Sequence, residues 1–145
     1  MSHIVAVELV VEDLDVLAAA CRKIGLTLHR GVKNYKWYGR SVGDYPLPSG
    51  VAVEDLGKCD HVIRVDGAAG QTYEIGVVKK KDEKGFSLLW DFWNGGYGLQ
   101  DVVGENCKNL KRSYAMEKTR DWGRKNGYRV VETTAGGKPA IRLLK

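Results

Sequence analysis

Three short runs of β-forming residues follow one another with only turns between them, and they constrain the fold more than anything else in the chain. They are His61-Val-Ile-Arg-Val65, Tyr73-Glu-Ile-Gly-Val-Val-Lys79 and Gly85-Phe-Ser-Leu-Leu-Trp90. Glycine-bounded residues 67–70 separate the first two runs, and a charged turn, Lys80-Lys-Asp-Glu-Lys-Gly85, separates the last two. Connections this short join antiparallel neighbours, because a parallel pair needs a crossover of about a dozen residues or more. Tyr73, Ile75 and Val77 share one face of their strand, and Phe86, Leu88 and Trp90 share one face of the next. The two rows are expected to pair across the hairpin.

The flanking segments supply the rest of one fold. Residues 3–11 (His-Ile-Val-Ala-Val-Glu-Leu-Val-Val) are rich in β-branched types and predict a strand buried on both faces. Glu12-Asp13 then offers capping oxygens, and Leu14, Leu17, Ala18, Cys21 and Ile24 form a helical stripe. Arg22, Lys23 and Gly25 end it. Leu26-Thr27-Leu28-His29 alternates as a second strand. Residues 94–106 are expected to form a loop. A second helix is expected from about Cys107 to Asn126, with Cys107, Leu110, Tyr114, Ala115 and Trp122 on its buried stripe. Tyr128-Arg-Val-Val-Glu132 and Ala140-Ile-Arg-Leu-Leu144, joined at Ala135-Gly-Gly-Lys138, predict a terminal hairpin. The expected class is α+β. The specific expectation is a ferredoxin-like sandwich with an antiparallel-rich sheet and two helices on one face.

Residues 30–60 break the pattern. Five glycines, Pro46, Pro48 and scattered aromatics interrupt any period. A hairpin around Gly31 and Tyr38 is one expectation. The stretch as a whole reads as a long ordered excursion, of the kind that usually carries function.

Length and charge narrow the classes. At 145 residues the chain is expected to form a single domain, 1–145. No run approaches the roughly 20 apolar residues of a membrane span, and the first residues lack the basic region of a signal peptide. Three cysteines, odd in number and far apart, point to a reducing cytoplasmic setting rather than a disulfide framework. The net charge of +5 gives some attraction to polyanions without being a footprint by itself.

No constellation nominates a reaction. Cys59-Asp60-His61 offers one ligand pair where a closed zinc site uses two, so Cys59 reads as a small buried thiol and no metal is expected. Cys21 and Cys107 fall on apolar helical stripes, where cysteine is core. The glycines of Gly95-Gly96-Tyr97-Gly98 and Gly136-Gly137 read as turns needing positive φ rather than phosphate cradles. Among carboxylates near aromatics (Asp44, Glu74, Asp91), Asp91 reads as a cap on the turn at Asn94-Gly95. No catalytic residue and no cofactor is expected.

Several segments together resemble a known family. They are Ser2-His3 opening a strand, Asp13 before Leu14 and Leu17, and Gly25-Leu26 after the helix. Tyr73-Glu74-Ile75-Gly76-Val77, Asp91-Phe92-Trp93, Arg112-Ser113-Tyr114-Ala115 and Gly127-Tyr128-Arg129-Val130-Val131-Glu132 complete the set. The family is a conserved open reading frame of unknown function, found in algal plastids, cyanobacteria, other bacteria and bacteriophages. The chain departs from its pattern at Glu74, where Asp is expected, and at Val77, where Phe is expected. Residues 30–60 match it poorly. The resemblance implies no catalytic residue. It implies an adaptor role near an AAA-type ATPase, since family members tend to be encoded beside one.

Three functional expectations result. The first is a non-enzymatic cytoplasmic interaction protein that binds a protein partner or itself through exposed aromatic and basic residues: Tyr35, Trp37, Tyr38, Arg40, Trp93 and Tyr97. The second is single-stranded nucleic-acid binding through Lys79, Lys80 and Lys81 together with Trp37, Tyr38 and Arg40. The third is a nucleotide-like small-ligand pocket beneath residues 30–60, anchored by Arg40 or Arg64, as a phage sequestering protein would have.

Overall fold

The computed structural model describes residues 3–145 except 42 and 44. The expectations placed on Ser2 and Asp44 therefore lie outside the described residues.

The fold is α+β, built on a five-stranded antiparallel sheet. The strands are β1 (Ile4–Ala6), β2 (Leu26–Arg30), β3 (His61–Val65), β4 (Ile75–Lys79) and β5 (Phe86–Asp91), in the order β1-β5-β4-β3-β2. The short turns do what their length requires: β3 to β5 run as a meander, and β2 pairs antiparallel with β3 across the long 31–60 connection. The expected face sharing holds. Val77 lies opposite Leu88, and Ile75, Val77, Leu88 and Trp90 all enter one core.

Helix α1 (Leu14–Lys23) starts where the capping oxygens predict. Asp13 Oδ1 accepts from the backbone N–H groups of Asp15 (2.8 Å) and Val16 (3.2 Å). The helix carries the chain from one edge of the sheet to the other, so β1 and β2 are the two edge strands. Helices α2 (Leu99–Val103) and α3 (Lys108–Lys125) join it on the same face. Leu17, Ala20, Cys21, Leu99, Val103, Cys107, Leu110 and Tyr114 pack there against the sheet.

Several expectations change. The ferredoxin-like ordering is not reproduced. A split β-α-β unit has one strand between β1 and β2, whereas here three strands separate them. The last two strands, β6 (Arg129–Ala135) and β7 (Lys138–Leu144), form their own two-stranded sheet against α3. Strand 3–11 shrinks to Ile4–Ala6. Val7 N–H still donates to the Leu88 carbonyl (2.8 Å); the chain then bulges out and rejoins β5 at the Val11–Phe86 bridge, leaving Val10 exposed. The predicted loop at 94–106 contains α2. On α3, Ala115 and Trp122 are exposed, Trp122 at 52%. The second half of the helix meets the terminal hairpin through Gly123 rather than through Trp122.

The largest finding is what covers the other face of the sheet. Residues 31–60 form no hairpin around Gly31 and Tyr38. Their two ends pair with each other: Tyr35 N–H donates to the Gly57 carbonyl (2.9 Å) and Cys59 N–H to that of Lys33 (2.9 Å). Between these ends the segment lies across the sheet as a third layer. Tyr35, Leu56 and Cys59 pack on Ile4, Val62 and Leu89, flanked by Val32, Trp37, Leu47 and Val51. The sheet is thus buried on both faces.

Among the described residues, no helix is long and apolar enough to cross a membrane.

Candidate functional site

The predicted aromatic residues divide between two destinations. Tyr35 is buried, and its ring lies over Gly76, the one position in β4 without a side chain. A Cβ added there would overlap the ring. Trp37 is half-buried, with its indole against Gly57. The Tyr35 ring is core, whereas Trp37 keeps part of its surface in solvent. Tyr35 and Trp37 fill the space beneath their part of 31–60, while residues 48–51 leave a hollow of about 360 Å³ over Ala6, Val78 and Leu89. Arg64, the proposed anchor of a ligand there, instead donates through Nε to the buried Glu74 carboxylate.

Tyr38, Trp93 and Tyr97 do come together, at the end of the sheet where β5 finishes and β1 begins. Asp91 organises this end. Its carboxylate is fully buried and accepts three backbone N–H groups from three parts of the chain. Oδ1 accepts from His3 (2.9 Å) and Trp93 (3.0 Å), and Oδ2 accepts from Tyr38 (3.0 Å). The expected cap on the following turn is thus one third of what Asp91 does. The carboxylate also ties the start of β1 and the excursion to the end of β5.

Rings gather around this knot. His3 stacks on Tyr45 at 4.9 Å between centroids and meets Trp93 edge-on at 5.4 Å. Tyr45 meets Phe92 edge-on at 5.3 Å, and Tyr97 meets Tyr73 at 5.1 Å. Tyr38, Tyr45 and Tyr97 keep 37–40% of their surface in solvent. Arg40, also exposed, has no carboxylate partner among the described residues. Beside β1, Tyr45, Trp90 and Phe92 wall a hollow of 520 Å³ that continues this end, with Glu8, Gln100 and Lys111 at its rim.

The turn that presents Tyr97 is unusual. Asn94, Gly95, Gly96 and Tyr97 are four consecutive residues in the left-handed region, with φ between +50° and +63°. L-residues visit this region singly, because Cβ crowds the following carbonyl. The two glycines avoid that crowding and Asn tolerates it, so the strain concentrates at Tyr97. Neighbouring groups hold the turn. The Gly96 carbonyl accepts from Tyr73 N–H (2.9 Å), and the Tyr97 carbonyl accepts from the Thr72 hydroxyl (2.9 Å). The sequence signalled positive φ in this stretch. It did not signal a whole left-handed turn docked on residues 72–73.

The lysine tip lies elsewhere. Lys79 is opposite Phe86, five residues along β5 from Asp91, or about 16 Å at strand rise. Lys79 N–H donates to Asp60 (2.8 Å), and Lys80 approaches Glu83 at 4.0 Å. Lys79, Lys80 and Lys81 therefore do not share a surface with Tyr38 and Arg40.

The remaining candidate groups are engaged internally. Among the described residues, no cluster of three or more His, Cys, Asp or Glu could hold a metal. Burial pushes the thiols of Cys21 and Cys107 up to about 12, and that of Cys59 to about 11. At neutral pH they are thiols rather than nucleophilic thiolates.

Cys59 Sγ donates to the Val32 carbonyl (3.3 Å), and His61 Nδ1 accepts from Gly31 N–H (3.0 Å). Burial lowers the His61 pKa below its ordinary 6.5. The bond to Gly31 agrees with this, since it requires an unprotonated Nδ1. The folded state therefore binds fewer protons than the unfolded state just below pH 6.5, and His61's contribution to stability is present above that pH and lost as pH falls. His61→Asn, which keeps an acceptor, is expected to flatten the stability profile between pH 7 and 5. Urea titrations at each pH measure this, and an unchanged profile would refute it.

Comparison with protein families, with characterised proteins and with solved structures finds no match.

Proposed function

We propose that this chain is a non-enzymatic cytoplasmic interaction protein that docks a protein partner on its aromatic end. One observation carries the reading. Rings from separate stretches of the chain (His3, Tyr38, Tyr45, Trp93 and Tyr97) converge on one end of the sheet, where a buried carboxylate fixes the backbone of His3, Tyr38 and Trp93. Rigid, half-exposed tyrosines are efficient anchors because little side-chain entropy is lost when they bind. The left-handed turn adds support, since backbone strain of this kind persists mainly where it serves a site. The 520 Å³ hollow beside β1 offers an adjoining recess for a partner side chain.

The partner to test first is an AAA-type ATPase. This rests on the proposed membership of the open-reading-frame family whose resemblance the sequence carries. Light scattering on the purified protein, alone and mixed with the ATPase encoded nearest to it, is the direct test. A complex is expected, and it should vanish in a Tyr38→Ser/Tyr97→Ser variant whose melting temperature is unchanged. Binding that survives this variant would refute the placement. A strict monomer that never associates with the ATPase would refute the reading.

A further inference from the structure

The positive charge of this molecule is not spread over it. Residues 118–145 carry eight Lys and Arg against two Asp and Glu, whereas residues 1–117 carry fifteen against sixteen. The whole net charge of +5 therefore resides in the second half of α3 and the β6–β7 hairpin.

The hairpin sorts these charges by face. Its inner face is fixed by Gly123 of α3, where an added Cβ would fall 2.7 Å from Leu143 and 3.3 Å from Val130. Val130 and Leu143 are cross-strand partners and point at the helix. Glu132 shares their face and is paired with Arg120 of α3. Alternation along a strand then turns Arg129, Arg142 and Lys138 to the opposite face, away from the helix. Their neighbours on that face are Val131, Thr133, Ala135, Ala140 and Leu144, so it holds no acid. None of the three cations has a carboxylate partner among the described residues.

An aromatic pair stands at the base of the hairpin, between the end of α3 and the start of β6. Trp122, 52% exposed, lies 5.4 Å from Tyr128, the residue before Arg129. Lys145 Nζ sits 5.2 Å from the Tyr128 centroid.

We propose that this basic end of the molecule, the outer hairpin face together with the Trp122–Tyr128 pair at the base of the hairpin, is a binding site for single-stranded nucleic acid. A row of unpaired cations tracks a phosphate backbone, and an exposed ring gives an unpaired base a stacking partner. A duplex keeps its bases stacked and would leave the rings unused. A membrane surface fits less well, because the hairpin tip, Ala135-Gly136-Gly137-Lys138, has no bulky apolar side chain to insert. The site is separate from the aromatic end at Asp91 and from the lysine tip at β4–β5.

Fluorescence anisotropy of labelled oligo-dT and oligo-U with the full chain tests the proposal. Binding is expected at low salt, with log K falling against log salt at a slope of about −2 for three neutralised phosphates. Arg129→Glu/Arg142→Glu is expected to lose about tenfold or more, and the milder Arg129→Gln/Arg142→Gln covers any folding defect of the first. Trp122→Ala is expected to lose about fivefold or more with the salt slope unchanged. Lys79→Glu/Lys81→Glu should bind as the parent does. The proposal is overturned if no oligonucleotide binds at low salt. It is also overturned if the lysine-tip variant, rather than the hairpin variants, loses affinity. Capture by heparin or phosphatidylserine vesicles without oligonucleotide binding would overturn it as well.

Discussion

Replacing Asp91 by Ala is expected to destabilise the protein by about 3 kcal/mol, although the residue makes no ion pair among the described residues. The side chain is fully buried and accepts from His3, Trp93 and Tyr38. Leaving a buried N–H unsatisfied costs about 1–3 kcal/mol. Water can reach part of each of these three donors, which keeps the total well below three times the maximum. Removing the carboxylate also relieves its own desolvation. At this chain length the loss corresponds to about 6–12 °C in Tm. Asp91→Asn retains Oδ1 for His3 and Trp93 but turns an amide donor toward Tyr38 N–H, so a smaller loss of about 1–2 kcal/mol is expected. Near-ultraviolet circular dichroism should change in both variants, because the rings around Asp91 lose their fixed backbone. An Asp91→Ala protein that melts within about 2 °C of the parent would show that the carboxylate does not tie the three segments together.

Gly76→Val is expected to cost about 3 kcal/mol or more, for a reason that has nothing to do with backbone freedom. Gly76 lies inside β4, a central strand, where glycine is ordinarily a weak choice. It is required because Tyr35 occupies the volume a side chain would take. Valine there forces the ring off the sheet, and overpacking of this kind costs about 1–3 kcal/mol, sometimes more. Since Tyr35 anchors residues 31–60, the variant should also make that segment sensitive to protease. Tyr35→Ala alone should cost about 3–5 kcal/mol through the void it leaves. The double variant should be less destabilised than the two losses combined, because the valine fills part of that void. Strict additivity of the two would mean that ring and glycine do not meet.

Much of the frame was legible because periodicity reports burial directly. The limits of β3 were read to the residue. The alternation around Ile75, Val77, Leu88 and Trp90 located one core, and Asp13 marked the start of α1. These features depend on neighbours in sequence. Where the reading failed, the deciding partner was remote. Trp122 completed a plausible helical stripe, but a stripe is buried only where something lies opposite it, and the hairpin lies opposite Gly123 instead. Val10 looked like strand interior until the bulge after β1 turned it outward. In the candidate site, the aromatic residues were nominated by type alone. Type could not separate Tyr35, which is core, from Tyr38, three residues later, which is surface.

The sequence by itself determined the antiparallel meander, the two long helices, the final hairpin and the positive-φ glycines, because short turns, 3.6-residue spacing and missing Cβ atoms act locally. Only the tertiary structure decided that residues 31–60 form a third layer, that Asp91 joins three distant backbones, and that the basic residues of the hairpin share one acid-free face. Each of these depends on which surfaces meet in space. A chain read in one dimension carries the chemistry of those surfaces but not their pairing.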